Sequence, residues 1–267
     1  MSLSISNIAW DTNLDRDISN LLLSHNINHI DIAPGKYFKN ISNTSDNEIL
    51  FLKDFWKKLG FSICGMQSLL FGTIGLNLFQ KDSQEPMLNH LHKICHIGNL
   101  LGARKLVFGS PKNRDKGNLS NKDANDIALD FFNKLGDIAK SQNVIVCIEA
   151  NPTTYGTNFI TKTIDAINFV EELNHPNIKA QLDTGTVFTN IEELSLYKGY
   201  IFGHIHLSEP NMSILANIDN YHQTVGNMIK ENYKDEIKTI EMLANKEIDI
   251  MTQIANSIKI AKILYRE

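Results

Sequence analysis

The sequence predicts an α/β fold in which eight parallel strands close into a (β/α)8 barrel. Three observations predict it. Short apolar runs alternate with amphipathic segments along the chain, the alternation occurs eight times, and several loops after the strands are longer than those before them. Eight units in 267 residues leave about 33 residues for each, which is the spacing of a βα unit, and such a barrel needs about 250 residues. We therefore expect one barrel domain over residues 1–267.

The eight predicted strands are runs of about four to eight residues rich in aliphatic and β-branched side chains. A doubly wound open sheet is the alternative, but such folds often carry a glycine-rich phosphate turn after the first strand. Here Trp10 is followed by Asp-Thr-Asn, without that motif. The predicted strands are residues 6–10, 29–33, 61–66, 105–109, 144–149, 178–183, 201–207 and 237–242.

The segments between the strands have the spacing of amphipathic helices. Ile164, Ile167, Val170 and Leu173 follow one another at intervals of three, which places them on one helical face. The same kind of stripe occurs in two other segments. These are Ile127, Phe131, Leu135 and Ile138, and, in a last helix over about 249–265, Ile250, Ile254, Ile258 and Ala261.

Loop lengths differ between the two ends of the predicted barrel. Connections that lead into strands, such as 24–28 and 59–61, are short. Connections that leave strands are long, and they are residues 35–46, 71–86, 110–122 and 208–221. In a barrel the loops after the strands lie at the carboxyl-terminal mouth, where catalytic sites are built. The sequence therefore predicts an elaborated mouth and a plain opposite face.

Composition excludes several classes of protein. The chain has 42% hydrophobic residues and a formal net charge of −4, which disfavours both disorder and the binding of nucleic-acid phosphates. No apolar run approaches the roughly 18 residues needed to span a bilayer, and the amino terminus does not have the pattern of a signal peptide. Cys64, Cys95 and Cys147 form no CxxC pair, which disfavours disulfides and cysteine zinc sites. We expect a cytoplasmic protein with no membrane or nucleic-acid partner.

Four consecutive predicted strands, the fifth to the eighth, carry at their carboxyl-terminal ends Glu149, Asp183, His206 and Glu241. In a barrel these ends are neighbours around one mouth. Buried carboxylates placed together repel one another, and a divalent cation removes that repulsion. Three carboxylates and an imidazole suit Mn²⁺, Mg²⁺ or Co²⁺, and Zn²⁺ is a further candidate. A single acidic residue here often only starts a turn or a helix, but its recurrence on consecutive strands favours one metal ion.

Three side chains at the predicted mouth are candidates for contact with substrate. Gln67 follows the third strand and either hydrogen-bonds substrate or caps its loop. Lys112 and Arg114 lie in the loop after the fourth strand. They could bind a phosphate or carboxylate group, or they could be solvated loop cations.

Three more candidates lie on the fifth and seventh units. His204 is two residues before His206 on the same strand face, where it contacts substrate, supports the metal site from behind or packs in the core. Tyr155 follows the fifth strand and Glu209 follows the seventh. Both are assigned here as substrate-binding candidates.

The strings CIEANPTTYG, QLDTGT, FGHIHLSEP and TIEM resemble the sugar phosphate isomerase/epimerase family of xylose isomerase-like TIM barrels. That family includes tagatose and psicose 3-epimerases, inosose-processing enzymes and relatives of endonuclease IV. The resemblance covers essentially the whole chain in strand order. It implies one metal ion held by Glu149, Asp183, His206 and Glu241, a sugar or sugar phosphate as substrate, and frequent homo-oligomers. It also implies that Glu149 and Glu241 form the acid/base pair that moves a proton through an enediolate.

The sequence departs from ketohexose 3-epimerases at three substrate contacts. Thr186, Met212 and Tyr155 stand where those enzymes carry His, Arg and Glu. We therefore do not expect a free ketohexose as substrate. A metal-dependent dehydratase of a keto-polyol and a sugar-binding barrel without catalysis remain alternatives. An endonuclease IV-like activity is disfavoured, because Thr186 and the GHIH string do not supply the additional His and Asp ligands of its metal cluster.

Overall fold

The computed structural model describes residues 2–265 and confirms the closed (β/α)8 barrel. Each strand pairs in parallel with the next one in the chain, and β1 also pairs with β8, so the sheet has no free edge. In the described residues the strands are β1 Leu3–Ser6, β2 His29–Ile32, β3 Ser62–Met66, β4 Lys105–Phe108, β5 Ile145–Ile148, β6 Ile178–Asp183, β7 His204–Leu207 and β8 Lys238–Ile240.

An α-helix follows each strand and covers the outer face of the sheet. Over residues 2–265 the helices are α1 Asp15–Ser24, α2 Asp46–Lys58, α3 Lys81–Leu101, α4 Asn121–Ser141, α5 Thr163–Leu173, α6 Thr184–Asn190, α7 Asn220–Asn232 and α8 Ile250–Tyr265. Local signals set several of their ends. Ser45 and Glu48 form a capping box at the start of α2, and α3 is terminated by the following residue, Gly102, whose φ of +84° suits glycine.

The prediction for the first strand was wrong in position. Residues 6–10 were expected to form it, but β1 is Leu3–Ser6 and residues Asn7–Ala9 form a 3-10 turn. The Ser6 hydroxyl accepts a hydrogen bond from the Ile8 amide, which stabilises the turn. Apolar residues continue past the end of the strand. A prediction based on apolar character alone therefore located the strand too far along the chain.

An aromatic cluster joins helices α4 and α5 to the barrel wall. The ring of Phe132 packs edge-on against Phe108, Phe131 and Phe169, with centroid distances of 5.1, 5.5 and 5.5 Å. Phe169 in turn contacts Phe159 at 5.9 Å. Because Phe159 lies in the loop after β5, the cluster connects the outer core to the mouth.

Strand register brings polar side chains into the interior of the barrel. Between β6 and β7, Gln181 lies opposite His204, and Asp183 lies opposite His206. Residues two apart on a strand point to the same side, so these four side chains share one face. All four are buried. The barrel interior therefore carries two polar layers, and the layer nearer the mouth contains Asp183 and His206.

Candidate metal centre

The structure brings the four predicted metal ligands together. Glu149, Asp183, His206 and Glu241 are all buried, and each offers one ligand atom within 4.8 Å of the others. Asp183 ends β6 and His206 lies within β7, while Glu149 and Glu241 come one residue after β5 and β8. The parallel barrel topology alone makes these four positions neighbours.

His206 is the centre of the cluster. Its Nδ1 atom lies 3.4 Å from Oε1 of Glu149 and 3.2 Å from Oε2 of Glu241. Neither ring nitrogen has a hydrogen-bond partner within the described chain, although both are buried. Burial alone would lower the pKa of His206, but the carboxylates of Glu241, Asp31 and Glu149 outweigh it and raise that pKa well above its usual range.

The surroundings of Asp183 oppose the ionisation of its carboxyl group. Burial and the neighbouring carboxylates of Glu149 and Glu241 raise the pKa of Asp183 to about 7. The Ser208 hydroxyl, which donates to Oδ1, and the charge of His206 partly offset this effect. The amide of Thr186 also donates to Oδ2 of Asp183, at 2.7 Å. Thr186 therefore contacts the candidate ligand Asp183 through its backbone amide, and its hydroxyl donates to the carbonyl of Ala150 at 2.9 Å.

Side-chain amides orient the two glutamates. Gln67 donates to Oε1 of Glu241 at 2.5 Å, Gln181 donates to Oε1 of Glu149 at 3.2 Å, and Asn151 donates to Oε2 of Glu149 at 3.1 Å. Among the described residues, the side-chain amide oxygens of Gln67 and Gln181 (Oε1 in both) are buried without a hydrogen-bond partner. Gln67 thus lies at the site, where it contacts the candidate ligand Glu241, and its contact with substrate stays a prediction. Sequence reasoning missed Gln181 and Asn151.

A second polar layer lies beneath the four candidate ligands. Oδ2 of Asp31 lies 2.6 Å from Nε2 of His204 and 3.9 Å from Nε2 of His206, and the Cys64 thiol donates to Oδ1 at 3.0 Å. Burial would raise the pKa of Asp31, but His204 and then His206 hold it far below its usual range. His204 therefore faces Asp31 inside the barrel. Sequence reasoning missed Asp31, which sits in the middle of an apolar strand.

Arg114 does not occupy the predicted position of a solvent-facing cation. Its side chain is fully buried, and its guanidinium donates to main-chain carbonyls and to Asn151. Its neighbour Lys112 is exposed on the same loop. The prediction treated the two cations alike because sequence does not show that the loop after β5 folds over Arg114. A buried guanidinium engaged in this way is not placed to bind a substrate phosphate.

Tyr155 and Glu209 differ in their positions. The Tyr155 hydroxyl accepts a hydrogen bond from the Asn211 amide at 2.7 Å, which links the loops after β5 and β7 across the mouth. Burial raises the pKa of Tyr155, and the charges of Asp183 and Glu241 raise it further. Glu209 instead lies under the loop after β7, where Asn217 donates to it at 3.0 Å and Nε2 of His222 lies 3.3 Å away. Its burial and these partners argue against the predicted contact with substrate.

Comparison with known proteins gives the family of the chain. Residues 20–258 match the model of the xylose isomerase-like TIM barrel family. The match covers more than half of the chain, so this protein belongs to that family. No curated protein matches the sequence.

Solved structures with the same fold include several sugar epimerases. D-psicose 3-epimerase from Clostridium cellulolyticum H10, solved with D-tagatose, aligns with a TM-score of 0.77 at 14% identity over 99% of both chains. The 3-keto-D-glucoside 4-epimerase YcjR from E. coli aligns with a TM-score of 0.79 at 13% identity, over 97% of this chain and 98% of that one. The IolI protein with a bound zinc atom aligns at 0.75 and 14% identity, over 99% and 98%. At these identities the likeness shows a shared fold.

Within residues 2–265, no helix combines the length and the apolar character that a transmembrane crossing requires.

Proposed function

We propose that this protein is a divalent-metal-dependent isomerase or epimerase of a sugar or sugar phosphate. One observation carries the proposal: two glutamate carboxylates lie beside the same imidazole nitrogen, at 3.4 Å for Glu149 and 3.2 Å for Glu241 from Nδ1 of His206. Such a pair of buried carboxylates suits proton transfer in both directions at a carbon next to a carbonyl group. The fold shared with sugar epimerases supports the same class of reaction.

The donor set fits a divalent metal ion. His206 Nδ1 is buried without a hydrogen-bond partner in the described chain, and it faces carboxylate oxygens. Glu149, Asp183, His206 and Glu241 would hold the ion, and three carboxylates with one imidazole suit Mn²⁺, Mg²⁺ or Co²⁺, or else Zn²⁺. When bound, the ion supplies positive charge that stabilises the negative charge developing on the substrate oxygens.

The two glutamates would divide the proton transfer. One carboxylate accepts the proton from the carbon next to the carbonyl group, and the other donates a proton back. Return to the opposite face of the same carbon gives epimerisation, whereas return to the neighbouring carbon gives isomerisation. The amides of Gln67, Gln181 and Asn151 hold the carboxylates in place, so their orientation is fixed before substrate arrives.

The mouth offers two of the predicted side chains for substrate recognition. Tyr155 bridges two mouth loops and lies close enough to Asp183 and Glu241 for their charges to act on it. Lys112 is exposed on the neighbouring loop, where its ammonium group is available to a phosphate. We propose both as substrate contacts and assign Arg114 and Glu209 to supporting positions. A cytoplasmic location and a homo-oligomeric state stay predictions from the sequence.

Exchange of carbon-bound hydrogen with solvent tests the reaction directly. The metal-loaded protein is incubated in D2O with a panel of aldoses, ketoses and their phosphates, and incorporation of deuterium is followed by NMR and mass spectrometry. We expect deuterium next to the carbonyl carbon of at least one sugar. Glu149→Gln and Glu241→Gln should lower the rate at least about 100-fold, because each removes a proton carrier. Glu171→Gln, an exposed surface change of the same kind, should leave it unchanged.

Metal content provides the independent test of the site. Elemental analysis of protein purified without chelators should give about one divalent ion per chain, as expected for a single set of four ligands. His206→Ala should lose most of it. Absence of metal from the wild-type protein even after reloading, or full occupancy in His206→Ala, would contradict the proposal. In the D2O experiment, loss of water from the sugar would instead identify a dehydratase.

A further inference from the structure

Arg114 is a buried cation whose hydrogen bonds all reach one loop. Its two terminal nitrogens donate to the carbonyls of Phe159, Ile160 and Glu149 at 3.1, 3.3 and 2.6 Å, and to Oδ1 of Asn151 at 2.7 Å. All four acceptors lie between residues 149 and 160, in the segment that joins β5 to α5. One side chain from the loop after β4 thus holds the loop that begins with Glu149.

The loop that Arg114 holds contains a strained residue. Ile160 has a φ of +56°, in the left-handed region that β-branched residues rarely adopt. The main-chain carbonyl of Ile160 accepts one hydrogen bond from Arg114 and another from the main-chain amide of Asn151, at 3.2 Å. Surrounding contacts must stabilise such a conformation, and these two hydrogen bonds are among them.

Asn151 connects Arg114 to the carboxylate of Glu149. A guanidinium can only donate hydrogen bonds, so its contact with Asn151 requires the amide oxygen on that side. The amide nitrogen is therefore turned away from Arg114, and it donates to Oε2 of Glu149 at 3.1 Å. The orientation of the amide, which sequence leaves open, is determined by the arginine.

We propose that Arg114 and Asn151 are positioning residues that fix the Glu149 carboxylate for metal binding and proton transfer. The inference rests on the proposed function, since it concerns the same carboxylate. Arg114 acts on both ends of Glu149: directly on its main-chain carbonyl, and through Asn151 on its side chain. Outer partners of this kind commonly change metal affinity by about 10–100-fold.

The burial of Arg114 is consistent with this role. Burial lowers the pKa of Arg114 to about 10, and the nearby charge of Glu149 opposes that shift. Arg114 therefore remains protonated at neutral pH and keeps its donors. Its four acceptors offset the cost of burying the charge, and they tie the guanidinium to the loop that begins with Glu149.

Cobalt binding distinguishes a positioning role of Arg114 and Asn151 from a purely structural one. The purified protein is stripped of metal and titrated with Co²⁺, and the visible absorption spectrum gives both the affinity and the ligand geometry. The first variant, Asn151→Leu, removes the side-chain amide that links Arg114 to the Glu149 carboxylate. The second, Arg114→Lys, keeps the charge but not the planar set of donors. Lys238→Met is the control, because Lys238 is also a buried cation but bonds to the carbonyl of Tyr233. Thermal unfolding is measured for every variant.

We expect Asn151→Leu and Arg114→Lys to bind Co²⁺ about 10–100-fold more weakly and with an altered spectrum. Lys238→Met should unfold at a lower temperature but keep the wild-type affinity and spectrum. If Asn151→Leu folds and binds Co²⁺ like the wild type, the positioning role is overturned even if Arg114→Lys fails to fold. If the wild type itself binds no Co²⁺, the proposed function fails instead.

Discussion

At the mouth of the barrel, the Glu149 side chain occupies the space that a side chain on Gly109 would need. A Cβ atom on residue 109 would lie 2.2 Å from Oε2 of Glu149, which is far closer than non-bonded atoms approach. The glutamate can therefore adopt its present conformation only because residue 109, which directly follows β4, has no side chain. A residue that no sequence pattern singled out thus helps to determine the geometry of the candidate metal centre.

Gly109→Ala should displace the Glu149 carboxylate and weaken metal binding about tenfold or more. The backbone at Gly109 does not have the positive φ that would make alanine itself unfavourable. The loss should therefore come from contact with Glu149. Isothermal titration with Mn²⁺ measures it.

Gly35→Ala is the matched control for that experiment. Gly35 lies in the loop after β2, and an added Cβ there meets no atom within 4 Å. We expect it to bind Mn²⁺ like the wild type. An unchanged affinity in Gly109→Ala would show that Glu149 has a second position equally suited to the ion.

The metal-free protein should lose stability as pH rises from about 4 to 8. The pKa of Asp183 is raised from 3.8 to about 7, and that of His206 is raised well above 6.5. The folded state therefore binds more protons than the unfolded state across this range, so raising the pH favours unfolding. Asp31 and Glu241, whose pKa values are lowered, contribute in the opposite sense only on acidification below their usual range.

Thermal unfolding in the presence of a chelator, at pH 5 and pH 8, checks this expectation. Asp183→Asn should reduce the difference between the two values because it removes one of the titrating groups. Saturating Mn²⁺ should raise the unfolding temperature more at pH 8, since the ion competes with protons for the same ligands. A wild-type protein that is more stable at pH 8 without metal would contradict the assignment.

Asp31→Ala should destabilise the barrel by about 1–3 kcal/mol, because it leaves the buried Nε2 of His204 without its hydrogen-bond partner. Urea denaturation gives the free energy of unfolding. Asp46→Ala, which removes a similar contact to His96 at the surface, should have a much smaller effect. Equal losses in the two variants would contradict the role assigned to the inner layer.

Phe132→Ala should cost about 3–5 kcal/mol of unfolding free energy, because the ring is fully buried and contacts three other phenylalanines. Phe71→Ala is the comparison, since Phe71 is 83% exposed, and its effect should stay within about 0.5 kcal/mol. Denaturant unfolding curves for both variants decide the matter. A loss below about 1 kcal/mol at Phe132 would mean that the cluster repacks around the cavity.

The sequence predicted the barrel and the four clustered residues because both depend on topology. Strand ends in a parallel barrel converge whatever the loops do, so Asp183 and His206 could be placed together before any coordinates. Asp31 could not, because its role depends on a contact across the barrel with His204 that no short motif encodes. Gln181 could not, because a polar residue within a strand does not by itself reveal its hydrogen bond to Glu149, which follows the neighbouring strand. The burial of Arg114 was not predicted for a related reason. Whether a loop cation is solvated depends on the fold of a neighbouring loop.

The positions of the four candidate ligands along the chain have a consequence for one half of the barrel. Glu149, Asp183, His206 and Glu241 end or follow β5 to β8, and these four strands pair in sequence without the seam between β8 and β1. The proposed ion would therefore cross-link the second half of the ring, whereas none of the four residues lies on β1 to β4. Chelation should then increase amide hydrogen exchange in β5 to β8 more than in β1 to β4.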